Sequence, residues 1–146
     1  MNTTLNMTPK DIIETLELKP HPEGGWYRQT WCGEEQPRAS GTSIYFLLEA
    51  FQHSRWHRVD AVEIWHWYAG SPMELHIHED GRTQVKVLGP DISSDHRPQL
   101  IVPAHAWQQS IPMLGWVLVG CTVSPGFQFS GFELADESWS PDTAKN

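Results

Sequence analysis

Between Trp26 and Val123 the chain is cut into short pieces. The runs WYRQTWC, TSIYFLLEA, EIWHWYAG, MELHIH, RTQVKVLG, QLIVP and GWVLVGCTV are rich in β-branched and aromatic residues. Turn signals such as Gly70-Ser71-Pro72, Glu79-Asp80-Gly81 and Gly89-Pro90-Asp91 separate them. Regular short strands with this punctuation build a sandwich or barrel, not a parallel α/β sheet. The expected fold class is all-β.

One helix precedes the strands. TPKDIIETLEL offers Thr8 as N-cap, Pro9 at the first helical position and Asp11 at the third. Ile12, Ile13 and Leu16 then share a face. KPHPEGG ends the helix, because its prolines and glycines cannot continue one. The spacing predicts a helix over about 9–17, a β-rich body over about 26–135 and a frayed tail over 136–146. No repeat, low-complexity segment or linker interrupts the chain, and 146 residues fit a single domain with a real core.

Ten basic residues against eighteen acidic ones give a net charge of -8. Nothing supplies a basic stripe, so a nucleic-acid partner is not expected. A small anionic ligand needs only one or two local cations and is not excluded. Cys32 and Cys121 form no C-x-x-C pattern, and Cys121, inside WVLVGCTV, reads as a buried free thiol. The start, MNTTLNMTPKD, lacks a basic n-region and an apolar h-region, and no run approaches the ~18 apolar residues of a membrane span. A cytoplasmic protein without membrane contact is expected.

Most chemistry is concentrated in WHRVDAVEIWHWYAG, Trp56 to Gly70. Residues two apart on a strand share a face. Glu63, Trp65 and Trp67 therefore point one way, and Ile64, His66 and Tyr68 the other. In the next strand Glu74, His76 and His78 oppose Met73, Leu75 and Ile77. A bend at Asp60-Ala61 would let His57 and Glu63 meet inside a barrel.

His57, then Glu63, then Gly70 after six more residues, resembles the first motif of the cupin superfamily: His-x-His, three or four residues, Glu, six residues, Gly. GPDISSDHRPQLIVPAHAW, centred on Pro103, resembles the second. With LKPHPEGGWYRQT, TSIYFLLE and CTVSPGFQFSGFELA, these segments are similar to the cupin-5 branch over most of residues 16 to 135. The resemblance implies a double-stranded β-helix, or jelly roll, usually dimeric, with its ligand pocket inside the barrel. Metal-bearing cupins use two histidines, a glutamate and a third histidine. Here His57 fills the first slot and Glu63 the glutamate slot, but Val59 occupies the second, and Trp107 and Gln108 stand near the third. No cofactor is therefore expected. If a divalent metal binds, His57, Glu63 and His76 are the ligands to consider.

Two functions of different classes fit. The first is a metal-independent, epimerase- or isomerase-like enzyme acting on a small polar or sugar-like molecule by proton abstraction beside a carbonyl. His57 would be the base, Glu63 its orienting carboxylate and Tyr45 the acid. The second is a small-molecule binding protein with the same pocket. A third is a metal-dependent enzyme that recruits His76. The ligand-binding candidates are Arg28, Ser43, His76, Gln99 and Trp107. Arg28 is either an edge-strand charge or an anion clamp. Trp107 is the candidate wall for stacking on a flat or sugar-like ring. Against these stand plainer readings. His57 and Glu63 satisfy each other as a buried pair. His66, His78, His96 and His105 are surface or satisfied histidines, and His21 shapes the Pro/Gly turn.

Overall fold

A computed structural model describes residues 3–142 of the chain. Helix α1 (Pro9–Leu16) begins as its sequence dictates. The Thr8 hydroxyl accepts from the Asp11 N–H at 3.2 Å, and the Asp11 carboxylate accepts from the Thr8 N–H at 3.1 Å. This reciprocal box satisfies two otherwise orphaned donors. The helix stops at Glu17, which turns left-handed at φ 57°.

Among the described residues eleven strands follow: β1 (Lys19–Pro20), β2 (Trp26–Cys32), β3 (Thr42–Leu48), β4 (His57–Val59), β5 (Val62–Gly70), β6 (Met73–Glu79), β7 (Arg82–Leu88), β8 (Gln99–Val102), β9 (Trp107–Pro112), β10 (Val117–Ser124) and β11 (Phe132–Leu134). They form a six-stranded sheet in the order β1-β2-β3-β10-β5-β8 and a five-stranded sheet in the order β11-β4-β9-β6-β7. Neighbouring strands are antiparallel. From β3 onward the chain passes back and forth between the sheets, with only the β6–β7 hairpin remaining in one. That winding is the double-stranded β-helix expected.

Strand alternation decides what fills the space between the sheets. Phe46 and Leu48 of β3, Trp65 of β5, Leu75 and Ile77 of β6, and Val117 and Val119 of β10 face inward and form the main core. On the other side of the six-stranded sheet, Leu47, Ala69 and Leu118 are covered by Ile12, Ile13 and Leu16 of α1. Each fully buried aliphatic or aromatic side chain contributes roughly 1.5–3 kcal/mol. Ala69 reaches the helix side because β5 bulges: Trp67 pairs with Val119 and Ala69 with Leu118, leaving Tyr68 as the extra residue.

The corner at Asp60-Ala61 is present. It ends β4 in one sheet and starts β5 in the other. Arg38 fastens it with two bonds to Asp60, at 2.7 and 3.1 Å. That pair holds the Asp60 carboxyl below the usual carboxylate range.

Two expectations differ from the structure. The strands β1, β4, β9 and β11 have no counterpart among the runs read from sequence. In β9 the inward residues are Gln108 and Ser110, both buried, so the polar/apolar code of that strand is broken from within. The tail is not loose from residue 136. Trp139 packs on Trp107, with centroids 4.6 Å apart, and on Trp56 at 6.3 Å. Residues 143–146 of that expected tail lie outside the described residues. Among the described residues no helix is long and apolar enough to cross a membrane.

Candidate functional site

A cavity of about 420 Å³ opens between the sheets near the corner. Inward positions of five strands supply much of its wall: Tyr27, Ile44, Val59, Glu63 and Cys121. His57 enters from β4. His21 and Glu23 enter from the loop between β1 and β2, and Phe127, Phe129 and Phe132 from the segment after β10. The β1–β2 loop is held close. Gly25 sits at φ 78°, and a Cβ there would lie 2.7 Å from the Leu47 carbonyl oxygen, so only glycine fits. This tight return carries Glu23 inside.

Three ionisable groups are then buried together. His57 is 2% exposed, Glu23 6% and Glu63 7%. The His57 Nδ1–H donates to the Arg55 carbonyl at 2.6 Å, since a carbonyl can only accept. Its Nε2 faces Glu23 Oε2 at 3.0 Å. That contact is an ion pair first: Oε2 has no well-aligned hydrogen bond among the described residues. Burial works to discharge the imidazole, but the Glu23 carboxylate, with help from Glu63, raises its pKa to about 9. Burial likewise works against the charge of Glu23, yet His57 and then His21 hold its carboxyl below the usual range. Burial holds the His21 imidazole below its usual range, more than Glu23 raises it. Its Nδ1 accepts from the Glu23 N–H at 3.1 Å, so it also shapes the turn as expected.

Glu63 lies at the other extreme. Burial, and then the nearby Glu23 charge, push its pKa up to about 7, against the opposing pull of His57. Its hydrogen-bond partners are neutral. Gln108 Nε2 donates to Glu63 Oε1 at 2.8 Å, and the Cys121 thiol also bonds the carboxyl. Trp65 Nε1, which can only donate, bonds Gln108 Oε1 at 3.0 Å and so fixes which end of the amide meets Glu63. Cys121 is buried and free, as its sequence context indicated, and burial beside Glu63 drives its pKa far upward.

Of the residues singled out from sequence, the cavity brings together His57, Glu63 and Arg28. Glu23 was not anticipated. The others lie elsewhere. Tyr45 and Ser43 are on the opposite face of β3 from Ile44. Tyr45 packs edge-on to Tyr68, 6.4 Å away, in the layer beneath α1. Tyr45 is therefore not positioned as an acid for this cavity. His76 alternates outward on β6, because Leu75 and Ile77 take the core, and its Nε2 lies 3.1 Å from Glu74 Oε1. It cannot join His57 and Glu63. Gln99 is on β8 at the edge of the six-stranded sheet, where its amide meets His66 Nδ1 at 3.3 Å. Trp107 alternates outward on β9, beneath the Arg58 guanidinium at 4.6 Å and beside Trp139. Arg28 pairs with Glu17 at 3.2 Å at the exposed end of the cavity, which makes it a partnered surface charge.

The metal set of a cupin does not fit these residues. Val59 carries no donor, Gln108 is engaged at both ends, and both nitrogens of His57 already face acceptors. Among the described residues no three His, Cys, Asp or Glu side chains are grouped to hold a metal ion.

Residues 10–135 match the family described as Cupin superfamily (DUF985). The chain is similar to the crystal structure of protein SO0799 from Shewanella oneidensis. The two are 38% identical with a TM-score of 0.85, covering 89% of this chain and 85% of that one. It is also similar to a hypothetical protein from Leishmania major, at 30% identity and a TM-score of 0.80 over 88% of each chain. A mutant of oxalate decarboxylase from Bacillus subtilis shares the fold at 12% identity, with a TM-score of 0.63 over 81% of this chain and 30% of that one. No curated protein matches the chain.

Proposed function

The chain belongs to the DUF985 family of the cupin superfamily, and from that premise we propose that it is a metal-independent enzyme of the proton-transfer class acting on a small polar molecule. The observation that carries the reading is Glu63. It is a buried carboxyl lining a cavity of ligand size, with its pKa raised to about 7 beside an ionised Glu23–His57 pair. Two carboxyls of one site pushed in opposite directions are the usual signature of divided acid–base roles.

Glu63, not His57, is the proton carrier in this reading. His57 is charged at neutrality and its N–H groups face Arg55 O and Glu23, so it has no lone pair with which to abstract a proton. As a carboxylate, Glu63 takes a proton from carbon next to a carbonyl. The electron pair moves onto the carbonyl oxygen as an enolate, near the fixed His57 charge, and the proton returns from Glu63 to the same or a neighbouring carbon. Gln108, locked by Trp65, keeps the carboxyl in one orientation.

The test is solvent exchange. A panel of small hydroxy- and amino-carbonyl compounds is incubated with the protein in deuterium oxide and followed by proton NMR. Exchange at carbon that disappears in Glu63→Gln supports the reading. Its rate should rise with pH through about 7 as Glu63 ionises and fall above about 9 as His57 loses its charge. A compound that binds but shows no Glu63-dependent exchange at any pH makes the chain a binding protein instead.

A further inference from the structure

We propose that the cavity takes a small organic ammonium group, seated between the Glu63 carboxylate and the aromatic corner of Phe127, Phe129 and Phe132. The proposal rests on the reading of this cavity as the ligand site and names what that site selects.

Apart from Lys19, which lies over the Tyr27 ring, the donors on the cavity wall that could meet an anion are engaged. The Nδ1–H of His57 goes to Arg55 O, and Nε2 faces Glu23. His21 turns an acceptor toward the Glu23 N–H. Arg28 is held by Glu17 and the Leu16 carbonyl. An anionic head would also meet two carboxyls. The clamp role considered for Arg28 therefore has no support in the cavity.

A cation meets the opposite situation. Glu23 has its counter-charge in contact at His57, but the hydrogen-bond partners of Glu63 among the described residues are an amide and a thiol, with the His57 charge acting on it only at longer range. A buried carboxyl with neutral partners alone keeps its proton, and an arriving ammonium supplies the missing charge. The rings complete the seat. Phe127 and Phe129 lie 5.0 Å apart at 86°, Phe127 and Phe132 5.6 Å at 62°, and Phe129 and Phe132 6.0 Å at 84°. Three rings set steeply to one another make a corner, where a compact cation can approach more than one π system. The chain's own ammonium already sits on a ring of this wall: Lys19 Nζ lies 5.4 Å from the centroid of Tyr27. The net charge of -8 favours cations at longer range.

The test compares three probes that share a three-methyl head of the same shape, by calorimetry and thermal shift: choline, its neutral carbon isostere dimethylbutanol, and the tert-butyl carboxylate pivalate. Choline should bind at least about tenfold more tightly than the isostere, and pivalate should give no shift. Glu63→Gln should bring choline down to the isostere while leaving the isostere unchanged. Phe129→Ala, at a ring that is 55% exposed and so not needed for the core, should weaken choline at least about threefold. An isostere that binds as well as choline, or a choline preference that survives Glu63→Gln, overturns the ammonium inference and leaves the ligand-site reading standing. If none of the three binds, the ammonium inference also fails, and the Glu63-dependent exchange measurement decides the other reading independently.

Discussion

Replacing Glu63 by Gln should make the protein more stable above neutrality, although it removes a buried hydrogen-bonding carboxyl. The folded chain holds the Glu63 proton up to about pH 7, whereas the ordinary value is 4.5. Between those values the native state binds a proton that the unfolded chain has lost, so stability falls as pH rises. At about 1.4 kcal/mol for each tenfold change, the full cost is about 3 kcal/mol once Glu63 is ionised in the fold. Glutamine keeps the shape, can accept from Gln108 and carries no charge. Urea denaturation at several pH values from 4 to 9 measures the difference between the two proteins. The wild type should match or exceed the variant near pH 4, and the variant should gain progressively between about pH 4.5 and 7, then hold its lead. The His57 contribution is present below 6.5 and lost as pH rises through about 9; it appears in both proteins and largely cancels in the difference. Parallel stability curves from pH 4.5 to 8 would refute the claim that Glu63 is carried into the fold against its charge.

His57→Ala should lower stability by about 3–5 kcal/mol, because it leaves Glu23 buried without its counter-charge. The double variant with Glu23→Gln should recover part of that loss in chemical denaturation, and a loss that merely adds would mean the pair is not coupled. Ellman's reagent should titrate Cys32 quickly and Cys121 only on unfolding, since the first is exposed and the second buried with its pKa driven up. A homodimer is expected through the face of the six-stranded sheet left bare beyond α1, where Trp31, Val62, Tyr68 and Ile101 are exposed. Sedimentation should give a dimer that Ile101→Lys dissociates; a wild-type monomer at micromolar concentration removes the idea.

Much of this molecule was legible where a local rule decides the outcome. Thr8, Pro9 and Asp11 start the helix through contacts within four residues. The Gly/Pro turns cut the strands, and the motif spacing of His57, Glu63 and Gly70 singled out two side chains that line the cavity. What was hidden depends on contacts distant in sequence. Glu23 reads as one more polar residue in a Pro/Gly turn. Its importance comes from meeting a histidine 34 positions later, through a loop folded under Leu47. Tyr45 and His76 had suitable chemistry, but alternation sends each to the outside of its sheet, a parity that follows only once Ile44, Leu75 and Ile77 are known to face inward. β9 was missed because Gln108 and Ser110 are polar in the core, each satisfied by a partner more than 40 positions away.

The corner at Asp60-Ala61 also bears on how the site responds to distant change. His57 belongs to one sheet, Glu63 to the other, and Glu23 to the β1–β2 loop, where its carbonyl accepts from the Arg55 N–H two residues before β4. The gap between the layers is thus also the spacing of the charges. A core substitution that lets the sheets settle closer or drift apart, such as one at Leu75 or Val119, alters Coulomb terms that vary inversely with distance in a poorly screened interior. The acidity of Glu63 then acts as a gauge of interlayer thickness, and repacking the hydrocarbon between the sheets becomes a way to retune the proton chemistry without touching a single polar residue.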